Sequence, residues 1–345
     1  MEWYKRGIKL LTIFMVSIMS IACMASELPV LKLETAIKSA VNTDGTLKVY
    51  EKQLHAAQER MLNTFNMPVT TYQANNLNKQ DYEQMIKYRK DALAYQVTKL
   101  YNEILVLKKK IDFYPTQLEM EERDFKQAQI KYNNGLISRL DYELAESKLE
   151  KQKNSLVDLE AKLEENRVTF QELTKYNVKN YQLENNEEIE FYTYRGNVQR
   201  HFEENVDQML KYTKELAELN DNNVFYDMMA TNDYSTSTYY TNKANTANVL
   251  NNIEVSKQQR ISTLNTLYTT LLTTEKNIKE VEKSIADLEK SLASLKVQYE
   301  NGAMSELAVR RQEQEIENLE LNLFEARMNY ISLVEAIKKP WVSFY

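Results

Sequence analysis

A seven-residue apolar repeat runs through this 345-residue chain twice, in a single register. In the first copy Val97, Ile104, Ile111, Leu118, Phe125 and Tyr132 recur at every seventh position. Leu264, Leu271, Ile278, Ile285, Leu292 and Tyr299 repeat them 167 residues later. Each set runs into a glycine turn, Lys131-Tyr-Asn-Asn-Gly135-Leu-Ile-Ser138 and then Val297-Gln-Tyr-Glu-Asn-Gly302-Ala-Met-Ser305. The spacing resumes beyond the turn: Tyr142, Leu149, Leu156, Leu163 and Phe170 answer to Val309, Ile316, Leu323, Tyr330 and Ile337. A sustained heptad is a coiled-coil seam, and two helices joined by a short glycine turn form a hairpin. The pattern predicts an internal duplication. The fold class it implies is all-α: two long antiparallel coiled-coil hairpins plus short helices, with little or no β-structure.

The composition agrees. Five glycines and four prolines in the whole chain leave little to interrupt long helices. The net charge of −6 is spread without a basic block, so nothing marks a nucleic-acid surface. His55 and His201, the only histidines, lie far apart and have no cysteine partners; they make no metal site. No Ser/His/Asp set or phosphate loop is present. Acidic pairs such as Glu121-Glu122 and Glu164-Glu165 read as solubilising charge. No enzyme, cofactor or metal is expected.

Lys5, Arg6 and Lys9 precede an apolar run from Leu10 to Ala22. With Cys-Met-Ala25 behind it, this reads as a signal peptide cut after Ala25, so the protein is exported. Ser20-Ile-Ala-Cys23 also resembles a lipoprotein box, which would place a lipid on Cys23. Either cleavage leaves no cysteine for a disulfide.

Residues 31–41 read as a short amphipathic helix with Leu33, Ile37 and Val41 on one side. A turn follows, with Gly45 free to take a positive φ and Thr46 placed to cap a second helix reaching about Phe65. Leu47, Tyr50, Leu54, Ala57 and Met61 line its buried face, and Pro68 stops it. The first long helix is expected from about Lys79 to the Gly135 turn, kinked but not broken at Pro115, and its return from Arg139 to Tyr176. Residues 177–197 read as a connector across the bundle, 198–220 as helix and 221–241 as irregular. The second hairpin is expected from about Asn242 to Lys339. The organisation predicted is a signal peptide at 1–25, a first repeat at 26–197 and a second at 198–345.

The chain resembles the TolC-type outer-membrane efflux factors. The likeness rests on the Leu-x-Leu-Glu-x-Ala-Ile-x-x-Ala stretch at 31–40, the helix-turn-helix after it, two long hairpins, the Tyr-x-x-Gly tip in both copies, and the duplication itself. The resemblance implies a homotrimer with a twelve-helix tunnel, located in the cell envelope at the outer membrane or its equivalent. It also implies two partners, a periplasmic adaptor (membrane-fusion) protein and an inner-membrane pump. It assigns Gly135, Leu136, Ile137 and Ser138, with Gly302, Ala303, Met304 and Ser305, to the adaptor-docking tips, and Asp141 and Tyr299 to the gate. Two features depart from the family. Met304 stands where a gate arginine is expected, and Ala308 and Arg311 replace an acidic ring. Arg310 and Arg311 would then set the field of the constriction, and the entrance would not be cation-selective. The family crosses its membrane through strand hairpins, each needing more than about twenty residues. Residues 67–78 are too few, and 221–241 lack the alternating apolar face that lipid requires. The competing expectation is a secreted or lipid-anchored coiled-coil spacer without channel activity.

Overall fold

The computed structural model describes residues 28–62, 69–185, 188–231 and 235–345. The signal-peptide and Cys23 readings, and the helix end at Phe65 and Pro68, lie outside these residues. The described chain is helical almost throughout. Its helices are α1 (Leu33–Thr43), α2 (Gly45–Leu62), α3 (Val69–Asn133), α4 (Arg139–Thr174), α5 (Val198–Thr231), α6 (Thr236–Glu300) and α7 (Glu306–Lys338). The strands β1 (Val30–Leu31) and β2 (Gln182–Leu183) form one short parallel pair.

The heptad positions do the packing. Val97, Ile104, Leu163 and Phe170 are buried in the first hairpin, and Leu264, Leu271, Ile278, Leu323, Tyr330 and Ile337 in the second. Burial fades toward the turns: Ile111, Leu118 and Phe125 are half-buried, and Tyr132 and Tyr299 are exposed. α3 runs through Pro115 without a break.

Both long helices start earlier than the sequence suggested. Residues 69–78 belong to α3, and α6 begins at Thr236. The Thr, Asn and Gln content of these stretches reads as loop by propensity, yet α2 packs along α3 and α5 along α6. Tertiary packing overrides the weak local preference. The 221–241 stretch is correspondingly helical up to Thr231. Gly45 takes no positive φ and opens α2, and Asp44, not Thr46, caps it: the Leu47 N–H donates to Asp44 Oδ1 over 2.6 Å.

In α1 the smallest side chains, Ala36 and Ala40, are the most buried, which lets α1 lie close on α3 and α4. The connector does cross the bundle. Leu183 and Tyr181 pack into the core of the first hairpin, and Ile189 and Tyr192 into that of the second. Tyr101 on α3 fastens its start: its hydroxyl lies 2.8 Å from the Leu31 carbonyl oxygen and 3.0 Å from that of Glu184. Burial pushes the Tyr101 phenol up to about 12.

Candidate functional site: the hairpin tips and the wall between them

The two tips are built alike. Gly135 has φ 70° and Gly302 φ 72°, a left-handed conformation in which a side chain is strained. At the first tip the Leu136 N–H donates to Lys131 O (2.8 Å) and the Gly135 N–H to Tyr132 O (2.9 Å). At the second, Ala303 N donates to Gln298 O and Gly302 N to Tyr299 O, each over 2.9 Å. These 6→1 and 5→2 pairs form a Schellman motif. Ser138 and Ser305 then cap the return helices, accepting from the N–H groups of Asp141 and Ala308.

Among the expected docking residues, Leu136 is 72% and Met304 42% exposed. Gly135, Ser138, Gly302, Ala303 and Ser305 are also exposed, and Ile137 is half-buried. All eight sit at the two turns, and seven of them are exposed.

The expected gate residues are more dispersed. Asp141 is exposed and closes a capping box: its carboxylate accepts from the Ser138 N–H (3.2 Å) and hydroxyl (2.7 Å). Ala308 holds the equivalent place in the second tip and offers no carboxylate, so that tip keeps half the motif. Tyr299 is exposed beside Gly302. Arg310 and Arg311 do not present bare charge. Arg310 pairs with Glu306 (2.9 Å) on its own helix and lies 3.8 Å from Glu119 on α3. Arg311 is paired with Asp124 of α3. Nothing in the heptads pointed to Glu119 or Asp124, because the register describes each hairpin internally and not the contact between them.

That contact is between α3 and α7, which run antiparallel. Asn102 meets Met328, Lys110 pairs with Glu325 (2.7 Å), and Gln117 meets Asn318. Val106 on α3 packs with Phe324 and Met328 on α7. Each of these helices is also antiparallel to its hairpin partner. α3 and α6 therefore point the same way, and both tips lie at one end. The four long helices follow one another laterally as α4, α3, α7, α6. α4 and α6 share no packed seam, so the row is an open arc and not a closed bundle. All four line one cleft of about 660 Å³. Its wall mixes polar side chains such as Lys99, Glu103, Lys162 and Asn277 with apolar ones such as Val106, Leu159, Val281 and Met328.

This arrangement has known counterparts. Residues 70–174 match the family of outer membrane efflux proteins. The TolC-type resemblance read from the sequence is thereby borne out, and the all-α class with it. Solved structures share the fold across nearly the whole chain. The CusC channel aligns with TM-score 0.62 at 11% identity, covering 90% of this chain and 91% of its own. The outer-membrane channel OprN gives 0.64 at 10%, covering 90% and 89%. The Campylobacter jejuni CmeC outer membrane channel gives 0.57 at 13%, covering 91% and 86%. No curated protein matches in sequence. The matched family is one of efflux proteins and not of enzymes. Its description, like those of OprN and CmeC, names the outer membrane, in agreement with the envelope location expected above.

Proposed function

We propose that this chain is the passive exit duct of a tripartite efflux or export system, with three copies closing an α-helical tunnel. The open arc carries this reading. A row of four helices with two free edges is incomplete, and the apolar residues left exposed along it collect on those edges. α4 exposes Leu140, Leu144, Val157 and Val168; α6 exposes Val249, Val255, Leu272 and Val297. Between its two ends α3 exposes no large apolar side chain, and α7 exposes none at all. Exposed apolar surface confined to two opposite edges suits a ring in which α4 of one copy meets α6 of the next. The cleft, lined by polar and apolar side chains alike, then becomes part of the tunnel wall.

In this reading the repeats at 26–197 and 198–345 each supply one hairpin. The tips at Gly135–Ser138 and Gly302–Ser305 form the inner entrance and receive the periplasmic adaptor. The inner-membrane pump supplies the energy. Asp141, Tyr299, Arg310 and Arg311 lie within the first turns from the tips, where rotation of one hairpin against the other would open the entrance.

The deciding experiment is the molar mass of the processed chain by light scattering, with and without mild detergent. Three chains per particle is expected. A monomer or dimer in both conditions would overturn the duct and favour a coiled-coil spacer.

A further inference from the structure

The cleft shared by the four long helices is ordered by height. Lys110 lies 25 residues before Gly135, and Asn277 lies 25 before Gly302. Lys162 follows Gly135 by 27 residues, and Asn329 follows Gly302 by the same number. With both tips at one end, these four residues stand at one level, about 40 Å from the turns. All four line the cleft. The first hairpin contributes the two cations of this belt, and the second contributes the two amides.

The floor at this level is apolar. Val106 and Met328 are buried and Leu159 is half-buried, and each lies within about one helical turn of the belt. Two carboxylates line the cleft, and both are engaged. Glu325 is paired with Lys110 at 2.7 Å. Glu103, higher on the wall, accepts from Asn166 Nδ2 over 3.2 Å. Lys162 is exposed on α4 and has no ion-pair partner among the described residues. Lys99, above it on α3, has none either. The cleft therefore holds unneutralised positive charge beside an apolar floor. Its volume of about 660 Å³ falls within the roughly 300–1,000 Å³ that small organic ligands occupy.

We infer that this cleft binds an amphipathic organic anion, its carboxylate or sulfonate head on Lys162 and its apolar body on Val106, Leu159 and Met328. Asn277 and Asn329 offer neutral donors and acceptors to the remainder of the molecule. The observation is the coincidence, at one level, of an unpaired lysine, an apolar floor and amides in place of acids. A small inorganic anion would gain nothing from that floor, and an organic cation would be repelled by Lys162. The site is contained in one chain. That its ligand is cargo in transit rests on the duct reading.

The test is fluorescence titration of the full chain with two matched probes. One is 8-anilinonaphthalene-1-sulfonate, and the other is N-phenyl-1-naphthylamine, the same body without the sulfonate. The wild type is expected to bind the sulfonate at one site per chain and more tightly than the neutral probe. Lys162→Gln is expected to weaken the sulfonate about fivefold and to leave the neutral probe unchanged. Lys162→Arg should restore binding, because it keeps the charge. Leu159→Ala should weaken both probes. Lys151→Gln, on the same helix but outside the cleft, is expected to behave as the wild type does. Circular dichroism on each variant confirms that the helices persist. Absence of sulfonate binding, equal affinity for the two probes, an unaffected Lys162→Gln, or an equal loss in Lys151→Gln would each overturn the inference. The last two results would mark adsorption on exposed apolar edges. A trimer that binds neither probe leaves the duct standing and sinks only this inference; a monomer that binds the sulfonate through Lys162 does the reverse.

Discussion

Tyr132 and Tyr142 stack across the first tip with ring centroids 5.0 Å apart and planes 21° from parallel, and Phe125 extends the group from 5.6 Å. In the second copy Tyr299 takes the place of Tyr132, but Val309 takes that of Tyr142. Tyr299 has no ring partner among the described residues. Two turns with the same backbone thus differ in what clamps them. An aromatic pair adds about 0.5–1.5 kcal/mol beyond its burial. Tyr142→Val is therefore expected to speed amide exchange over residues 128–145 by several-fold while leaving 295–312 unchanged. Equal exchange in wild type and variant would refute the clamp.

Gly135 and Gly302 leave open space where a Cβ would be, so replacement costs backbone strain and not a clash. Gly135→Ala and Gly302→Ala should each destabilise their hairpin by about 1 kcal/mol, and Asn at either place by less. Chemical denaturation with local exchange measurements checks this. An alanine as stable as glycine would show that the left-handed turn is not required.

Asp44 caps α2 and accepts a forked contact from Arg89, Nε to Oδ1 at 3.2 Å and Nη2 to Oδ2 at 2.7 Å. Burial alone would raise its pKa; the Arg89 hydrogen bond, the Leu47 N–H and the charges of Arg89 and Lys48 outweigh that and hold it below 3.8. A depressed carboxylate stabilises the fold above its unfolded pKa and loses that contribution as pH falls through the folded value. Docking of α2 on α3 should hold steady at neutral pH and weaken below about pH 4. Asp44→Asn should remove about 1.5–3 kcal/mol at pH 7 and flatten this acid limb. An unchanged pH profile would sink the assignment.

Val157 on α4 and Leu272 on α6 are 63% and 48% exposed in the single chain. Val157→Asp and Leu272→Asp should alter the stability of the isolated chain by no more than about 0.5 kcal/mol. In the proposed ring each would bury an unpaired charge, so each should abolish the trimer. A trimer that survives both would refute the edge-to-edge arrangement.

Arg311, at the entrance of the proposed duct, is paired with Asp124 across the two hairpins. Asp124→Asn should leave its charge open and move the reversal potential of a reconstituted channel toward anions at low salt, with a smaller effect at high salt. No movement would mean that Arg311 lies off the conduction path.

The seam was legible because a period of seven fixes which side of each helix is buried. From Val97 to Ile337 every predicted position is buried or half-buried except the two tip tyrosines. The turns were legible because glycine, serine and their spacing dictate a Schellman end and an N-cap. What sequence did not yield lies between elements. The Thr- and Asn-rich starts of α3 and α6 look like loop until α2 and α5 are seen beside them. The pairing of Arg310 and Arg311 with Glu119 and Asp124 joins residues nearly two hundred apart, with no repeat to relate them. The arc itself follows from α3 meeting α7, a choice that heptads on separate hairpins do not record.

The bond from Tyr101 to Leu31 also acts as a ruler. It fixes the N-terminal strand 32 residues along α3 from Val69, about 48 Å from the start of that helix. Cys23 precedes Val30 by seven residues, a tether of at most about 25 Å when fully extended. An acyl chain on Cys23 would therefore hold a lipid surface within about 25 Å of that strand, partway along α3, and the mass of the processed N-terminus shows whether such a chain is present.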